Sequence, residues 1–202
     1  MSGKIIIGLS GGIDSTISMM LLKNKGYNLE ALFMKNWDED DNKYGCNAKE
    51  DLKYAQDACE QLNIKLHTAN FSDQYWNKIF LDFVDSYKKG YTPNPDILCN
   101  KYIKFKVFLE HAIKLGADKI ATGHYAKIIR IKNSYFLETP KDINKDQTYF
   151  LHTLDQGQLS NVIFPLSDMT KKEVKILAKK NQFLSHNKKR KHGDMFYREQ
   201  KI

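Results

Sequence analysis

The sequence predicts an α/β fold, a doubly wound and mostly parallel sheet followed by the start of a second unit. Three observations predict it. Short β-rich runs alternate with longer helical patterns through the first two thirds of the chain. Gly26, Gly90 and Gly116 punctuate the ends of those helical patterns. Ser10-Gly11-Gly12 falls directly between the first apolar run and the first helical pattern. Strands that alternate with helices pair in parallel through right-handed crossovers, so ligands belong at the C-terminal ends of the strands.

The elements follow in order. Residues 4–9 form a short continuous apolar run, as expected of a strand buried on both faces. A helix is expected over 14–25, a second strand over 29–34 and a second helix over 49–62. In that helix Leu52, Ala55, Cys59 and Leu62 repeat at three- and four-residue spacing, which places Cys59 on the core face. A third strand is expected over 64–70. Next comes an aromatic-rich helix over 73–89, where the spacing of Tyr75 and Trp76 indicates core packing. After a loop over 91–100, a helix over 103–115 leads to a strand over 119–122. Residues 126–131 and 135–138 read as a hairpin around Lys132, and 171–180 as one more helix. We divide the chain at about residue 165, with 1–165 the first domain and 166–202 the start of a connecting one.

Hydrophobic residues make up 42% of the 202 and aromatics 12%, enough for a packed core and against global disorder. The net charge of +8 suits a polyanionic partner such as nucleic acid. Only Arg130, Arg190 and Arg198 of the 32 basic residues are arginine, and so lysine-rich a composition also follows from an AT-rich genome. Cys46, Cys59 and Cys99 have no paired or metal-like spacing. No apolar run is long enough to span a bilayer, and no signal sequence opens the chain. The expectation is a cytoplasmic protein without a membrane partner or resident metal.

The segment Ser10-Gly11-Gly12-Ile13-Asp14-Ser15 reads as a phosphate loop. Its glycines let the backbone approach an anion, the amides at the helix start favour phosphate, and Ser10 and Ser15 add hydroxyl donors. Asp14 suits either a magnesium contact or a helix cap. The lysine of a Walker-type loop is missing, which excludes a GTPase or kinase loop.

This loop resembles the SGGxDS loop of the N-type ATP pyrophosphatases, whose members cleave ATP between the α and β phosphates and pass AMP to a carbonyl oxygen. On the loop alone, asparagine, GMP and tRNA-lysidine synthetases and tRNA thiolation enzymes stay open. Four further segments narrow the choice: Leu32-Phe33-Met34-Lys35-Asn36-Trp37-Asp38, Asn94-Pro95-Asp96-Ile97-Leu98-Cys99-Asn100, Ala121-Thr122-Gly123-His124-Tyr125-Ala126 and Asn144-Lys145-Asp146-Gln147-Thr148-Tyr149-Phe150-Leu151. In this order, from residue 4 to about 189, they resemble the bacterial tRNA-specific 2-thiouridylase family. That resemblance implies an adenine nucleotide alpha hydrolase-like fold. It also implies ATP-dependent adenylation of the 2-carbonyl of the wobble uridine U34, then sulfur transfer from a cysteine persulfide.

Carried over position by position, Gly8, Leu9, Ser10, Gly11, Gly12, Ile13, Asp14, Ser15, Met34 and Gly123 would bind ATP, with Mg2+ accompanying it. Asn94, Pro95 and Asp96 would hold the target base, and His124, Lys145, Asp146 and Gln147 would contact tRNA. Cys99 would be the catalytic nucleophile, with Asp14 assisting, charged by a cysteine desulfurase or sulfur relay. The residues themselves put Cys99 just ahead of a helix, where the helix end, Lys101 and Lys104 would lower its pKa. Tyr102 stands where the resembling family carries an acidic residue.

The resembling family also uses a second cysteine in a Gly-Ile-Cys-Phe-Ile-Gly motif, then a connecting domain and a β-barrel. These are absent from the 202 residues, so the sequence reads as C-terminally truncated. The tail from Lys188 suggests a frameshift in an adenine run, because reading 192–198 one base later allows that motif. The alternatives are a non-catalytic remnant that binds ATP or RNA, and another tRNA-modifying ATP pyrophosphatase, a 4-thiouridine or lysidine synthetase.

Overall fold

The computed structural model describes residues 3–36 and 47–187. Trp37, Asp38, the acidic run to Asp41, Cys46 and the tail from Lys188 lie outside the described residues. Seven strands follow in chain order: β1 Lys4–Gly8, β2 Asn28–Lys35, β3 Leu66–Asn70, β4 Lys119–Ala121, β5 Lys127–Ile131, β6 Ser134–Glu138 and β7 Val162–Ile163. Five of them pair in parallel in the order β3-β2-β1-β4-β7, while β5 and β6 form a separate antiparallel hairpin. The register is tight at the centre: Ile5 lies opposite Leu29 and Lys119, and Ile7 opposite Ala31 and Ala121.

Successive strand side chains point to opposite faces, and β1 shows what this does here. Ile5 and Ile7 enter one core, Ile6 the other. The first core packs against α1 (Ile13–Asn24) and α2 (Asn47–Gln61), with Ile17, Met19, Ala55 and Cys59 buried in it. The second packs against two longer helical segments, α3 over 72–88 and α4 over 95–114. Both faces of the sheet are thus covered, as the continuous apolar strand runs require. Each fully buried Ile or Leu contributes about 1.5–3 kcal/mol of transfer free energy. The doubly wound parallel sheet is the predicted one.

α3 and α4 each change register midway. Trp76–Phe80 and Cys99–Val107 are π-helical, flanked by α-helical turns. Tyr75 is buried as its spacing predicts, whereas Trp76 is 45% exposed and stacks on Phe80 at 4.4 Å. α4 starts at Pro95 rather than near residue 103. The Asn94 side chain accepts from the Asp96 amide and Pro95 takes the first helical position, a start signal that the sequence reading assigned to a loop. β7, only two residues long, was not expected at all.

The remaining helices are α5 (Gln156–Ser160) and α6 (Lys171–Lys180), each opened by a capping box, from Asp155 with Gln158 and from Thr170 with Glu173. Such a cap stabilises a helix by about 1 kcal/mol. α6 packs on α1, and Leu166, Val174, Ala178 and Phe183 are buried in the same core as Ile5 and Ile17. The described residues beyond 165 therefore share the core of the first domain. No helix among the described residues is long and apolar enough to cross a membrane.

Candidate functional site

The strand order reverses between β1 and β4: β1, β2 and β3 run toward one edge, and the chain then returns to lay β4 on the other side of β1. A reversal of this kind opens a crevice at the C-terminal ends of the two strands. The 10–15 loop leaves β1 there, and residues 122–126 leave β4 beside it.

The loop holds its shape through its own serines. The Ser15 hydroxyl donates to the Gly12 carbonyl (3.0 Å) and accepts from the Ser10 amide (3.2 Å), with the Ser10 hydroxyl 3.2 Å away. Gly11 has φ +70°, and a Cβ there would stand 2.2 Å from the Asp51 carbonyl oxygen on α2. Gly123 approaches from the other strand, where a Cβ would meet the Ser15 amide at 2.8 Å. A Cβ at Gly8 would come within 3.2 Å of the Met34 methyl and 3.1 Å of Phe108. The structure therefore brings Gly8, Ser10, Gly11, Gly12, Asp14, Ser15, Met34 and Gly123 together.

Asp14 is not the cap of its helix. Helix α1 is capped by Gly12, so Asp14 lies inside the first turn. Its carboxylate accepts from the Tyr125 hydroxyl (2.9 Å) and pairs with the Lys171 ammonium from the start of α6. Lys171 also lies 5.9 Å from the Tyr125 ring centroid. Among the described residues no three His, Cys, Asp or Glu side chains cluster as metal ligands. The sequence reading missed both Tyr125 and Lys171. Tyr125 lay within a quoted motif without a role, and the Thr170-x-x-Glu173 capping pattern marks only where α6 begins.

Cys99 corrects a second expectation. It sits one turn inside α4, partly buried, at the start of the π-helical stretch, rather than ahead of the helix. Burial pushes its thiol up, Lys104 opposes that, and Asp96 adds to it. The net direction is upward, because loss of hydration outweighs the lysine. Tyr75 is close by: burial, and after it Cys99 and Asp96, push its hydroxyl well up. The buried Asn100 side chain donates to the Phe150 carbonyl (3.1 Å), tying this helix to the 148–151 turn.

His124 is buried between Phe105 (5.6 Å) and Phe164 (6.0 Å), with Nδ1 2.8 Å from the Thr122 hydroxyl. Burial, and then Lys104, hold its pKa well below the usual histidine range, so the ring is neutral. Gln147 is anchored to Tyr125 twice: its amide donates to the Tyr125 carbonyl (3.0 Å) and its side-chain oxygen accepts from the Tyr125 amide (2.9 Å). The Lys145 and Asp146 amides donate within their own turn, to the Asp142 and Ile143 carbonyls, and the Asp146 carboxylate accepts from the Thr148 amide and hydroxyl. Among the described residues, no hydrogen bond or ion pair joins Asn94, Pro95 or Asp96 to the phosphate loop. Cys59 is buried as expected, its thiol pushed up to about 12 by burial.

Among solved structures, the fold is similar to a 4-thiouridine synthetase in complex with RNA and ATP, with a TM-score of 0.61 and 19% identity over 91% of this chain and 41% of that one. It is also similar to the U34-tRNA thiolase NcsA from Methanococcus maripaludis, with a TM-score of 0.54 and 18% identity over 92% and 59%. At these identities the likeness is one of fold. Among curated proteins, the tRNA-specific 2-thiouridylase MnmA of Vesicomyosocius okutanii is 56% identical over 199 residues, 98% of this chain and 55% of that protein. The one from Legionella pneumophila (strain Paris) is 50% identical over 202 residues, 100% and 56%. The chain spans about half the length of the curated relatives it matches. The family model described as the tRNA methyl transferase HUP domain matches residues 3–198, so the chain belongs to that family.

Proposed function

We propose that this chain is the ATP-binding, uridine-activating part of a cytoplasmic tRNA 2-thiouridylase acting on U34. One observation supports this more than any other: a serine- and glycine-lined loop lies at the strand-order reversal, with the Asp14–Lys171 pair at its mouth. The names of the curated relatives supply the reaction class.

In this reading the ATP phosphates lie on the amides and hydroxyls of residues 10–15. Lys171 exchanges Asp14 for the phosphates and supplies the positive charge that the loop itself lacks. Magnesium, if bound with the nucleotide, neutralises phosphate charge and needs no protein cage. Asn94, Pro95 and Asp96 hold the target uridine, which leaves its stack to reach them. The uridine O2 attacks the α-phosphorus, the bond to the β-phosphate breaks, and pyrophosphate departs with the electron pair.

Sulfur then enters from a persulfide on Cys99, charged by a cysteine desulfurase or sulfur relay. Its outer sulfur attacks C2 and AMP leaves with the C–O bond electrons. A second thiol cleaves the remaining S–S bond, giving 2-thiouridine and a disulfide. His124 stays neutral and orders the β4 loop, while Lys145, Asp146 and Gln147 contact the tRNA.

The test uses Cys99→Ala, which cannot transfer sulfur, with ATP labelled at the α-phosphate and unmodified tRNA. Label should accumulate on the RNA at U34 and be absent when U34 is replaced by cytidine. Absence of RNA-linked label, with ATP bound, defeats the uridine-activating reading.

A further inference from the structure

A cavity of about 440 Å³ opens between the β5–β6 hairpin and the turn that follows Gln147, lined by Tyr135, Phe136, Leu137, Tyr149, His152 and Leu159 among others. Its walls are largely aromatic, and two are unusually open to solvent: Tyr149 is 64% exposed and Phe136 46%. Large apolar side chains left exposed together mark an interaction surface rather than a core.

The platform is rigid. The Gln156 side chain grips Tyr135 at both its amide (2.7 Å) and its carbonyl (2.8 Å), fixing the hairpin to α5. The Tyr149 ring packs edge-on against Phe150 at 5.4 Å and lies 5.8 Å from His152, whose Nδ1 is 2.6 Å from the Tyr149 carbonyl. Phe150 is tied to Asn100, next to Cys99, and Gln147 to Tyr125, next to Asp14. The surface is therefore mechanically joined to both halves of the site.

Charge identifies the occupant. Arg130 faces Tyr135 across the hairpin, its guanidinium 5.8 Å from that ring, and Lys145 precedes the turn. Neither has a carboxylate partner among the described residues. Exposed rings beside uncompensated cations suit an unpaired nucleotide, with its base on the ring and its phosphate on the cations. A hydrophobic protein partner would need no such charge.

We propose that the exposed ring of Tyr149 is a stacking platform for one unpaired nucleotide of the RNA, a neighbour of the base that is modified. This rests on the RNA reading above and extends it to a ring subsite next to the Lys145–Gln147 contacts and distinct from Asn94–Asp96. Splaying a neighbouring base onto this surface would help hold the target base out of its stack.

The experiment measures binding of the 202-residue chain to an RNA hairpin with a single-stranded loop, and to a blunt RNA duplex of equal phosphate count, across a salt series. Tyr149→Ala should weaken hairpin binding roughly tenfold, as expected for loss of one base–ring stack. Duplex binding and the salt slope should be unchanged, because no charge is removed. Tyr149→Phe, which keeps the ring, should restore hairpin affinity. Equal affinity of wild type and Tyr149→Ala for the hairpin overturns the proposal and leaves the cavity to a protein partner. Equal weakening toward hairpin and duplex overturns it too, by pointing to a general effect on the fold. Failure of the wild-type chain to bind the hairpin at all defeats the RNA reading itself, and this proposal with it.

Discussion

Gly11 and Gly26 carry nearly the same backbone conformation, φ +70° and +77°, and so form a controlled pair. Alanine at either position adopts the left-handed region, at a cost of about 1–2 kcal/mol. Around Gly26 nothing lies within 4 Å of the added Cβ, so Gly26→Ala should cost that amount and no more. At Gly11 the Cβ would stand 2.2 Å from the Asp51 carbonyl oxygen, while real Cβ atoms essentially never approach below 3.0 Å. Helix α2 around Asp51 or the phosphate loop must therefore move by most of an ångström. Overpacking of that kind adds about 1–3 kcal/mol. For a chain of this size, each kcal/mol lowers Tm by roughly 2–4 °C. Gly26→Ala should thus melt a few degrees below wild type with unchanged ATP affinity. Gly11→Ala should melt lower still and bind ATP at least tenfold more weakly, measured by thermal unfolding and titration calorimetry. If the two variants match in both measurements, α2 does not press on the loop and the loop's shape is not set in this way.

Three further outcomes follow from the site. Lys171→Met removes one charge-assisted contact to the phosphates, worth about 1.5–3 kcal/mol. ATP affinity should fall at least tenfold while AMP affinity, measured in parallel, changes little, and equal losses for both would contradict the role given to Lys171. Lys104→Met removes the one group that draws the Cys99 pKa down, leaving burial unopposed. The pH profile of Cys99 alkylation, followed by mass spectrometry, should therefore move to higher pH, and a shift the other way would reverse that assignment. His124 is kept neutral in the fold, its pKa well below the ordinary 6.5. Its contribution to stability is present above pH 6.5 and is lost as pH falls below it, at up to about 1.4 kcal/mol per pH unit, because only the unfolded chain takes up the proton. Denaturant titrations from pH 7 to 5 should show this slope in wild type and a flatter one in His124→Asn.

Much of the fold was legible because its signals are local. The apolar run of β1, the face repeat of Leu52, Ala55, Cys59 and Leu62, and the helix stops at Gly26, Gly90 and Gly116 need no partner to be read. β7 was not legible, since two residues carry no periodicity and exist as a strand only because β4 lies beside them. The π-helical stretches were also silent, because a register shift is decided by packing rather than by residue type. The start of α4 is written in Asn94-Pro95, but the same residue types also favour turns, so the signal does not separate a helix start from a loop. In the site, the loop and its glycines were readable from their position between strand and helix. The pairing of Asp14 with Lys171 joins residues 157 apart in sequence and appears only when α6 folds onto α1. The environment of Cys99 was misjudged for the same reason. Nearby lysines are visible in sequence, but the burial that outweighs them is not.

The most direct test identifies the products that the chain makes from ATP in the presence and absence of unmodified tRNA. The proposed chemistry predicts pyrophosphate release matched by an equal amount of RNA-linked AMP, seen only when tRNA carrying U34 is present, and reduced in Gly11→Ala at limiting ATP. Release of ADP and phosphate, or pyrophosphate formation indifferent to tRNA, would contradict uridine activation at this site.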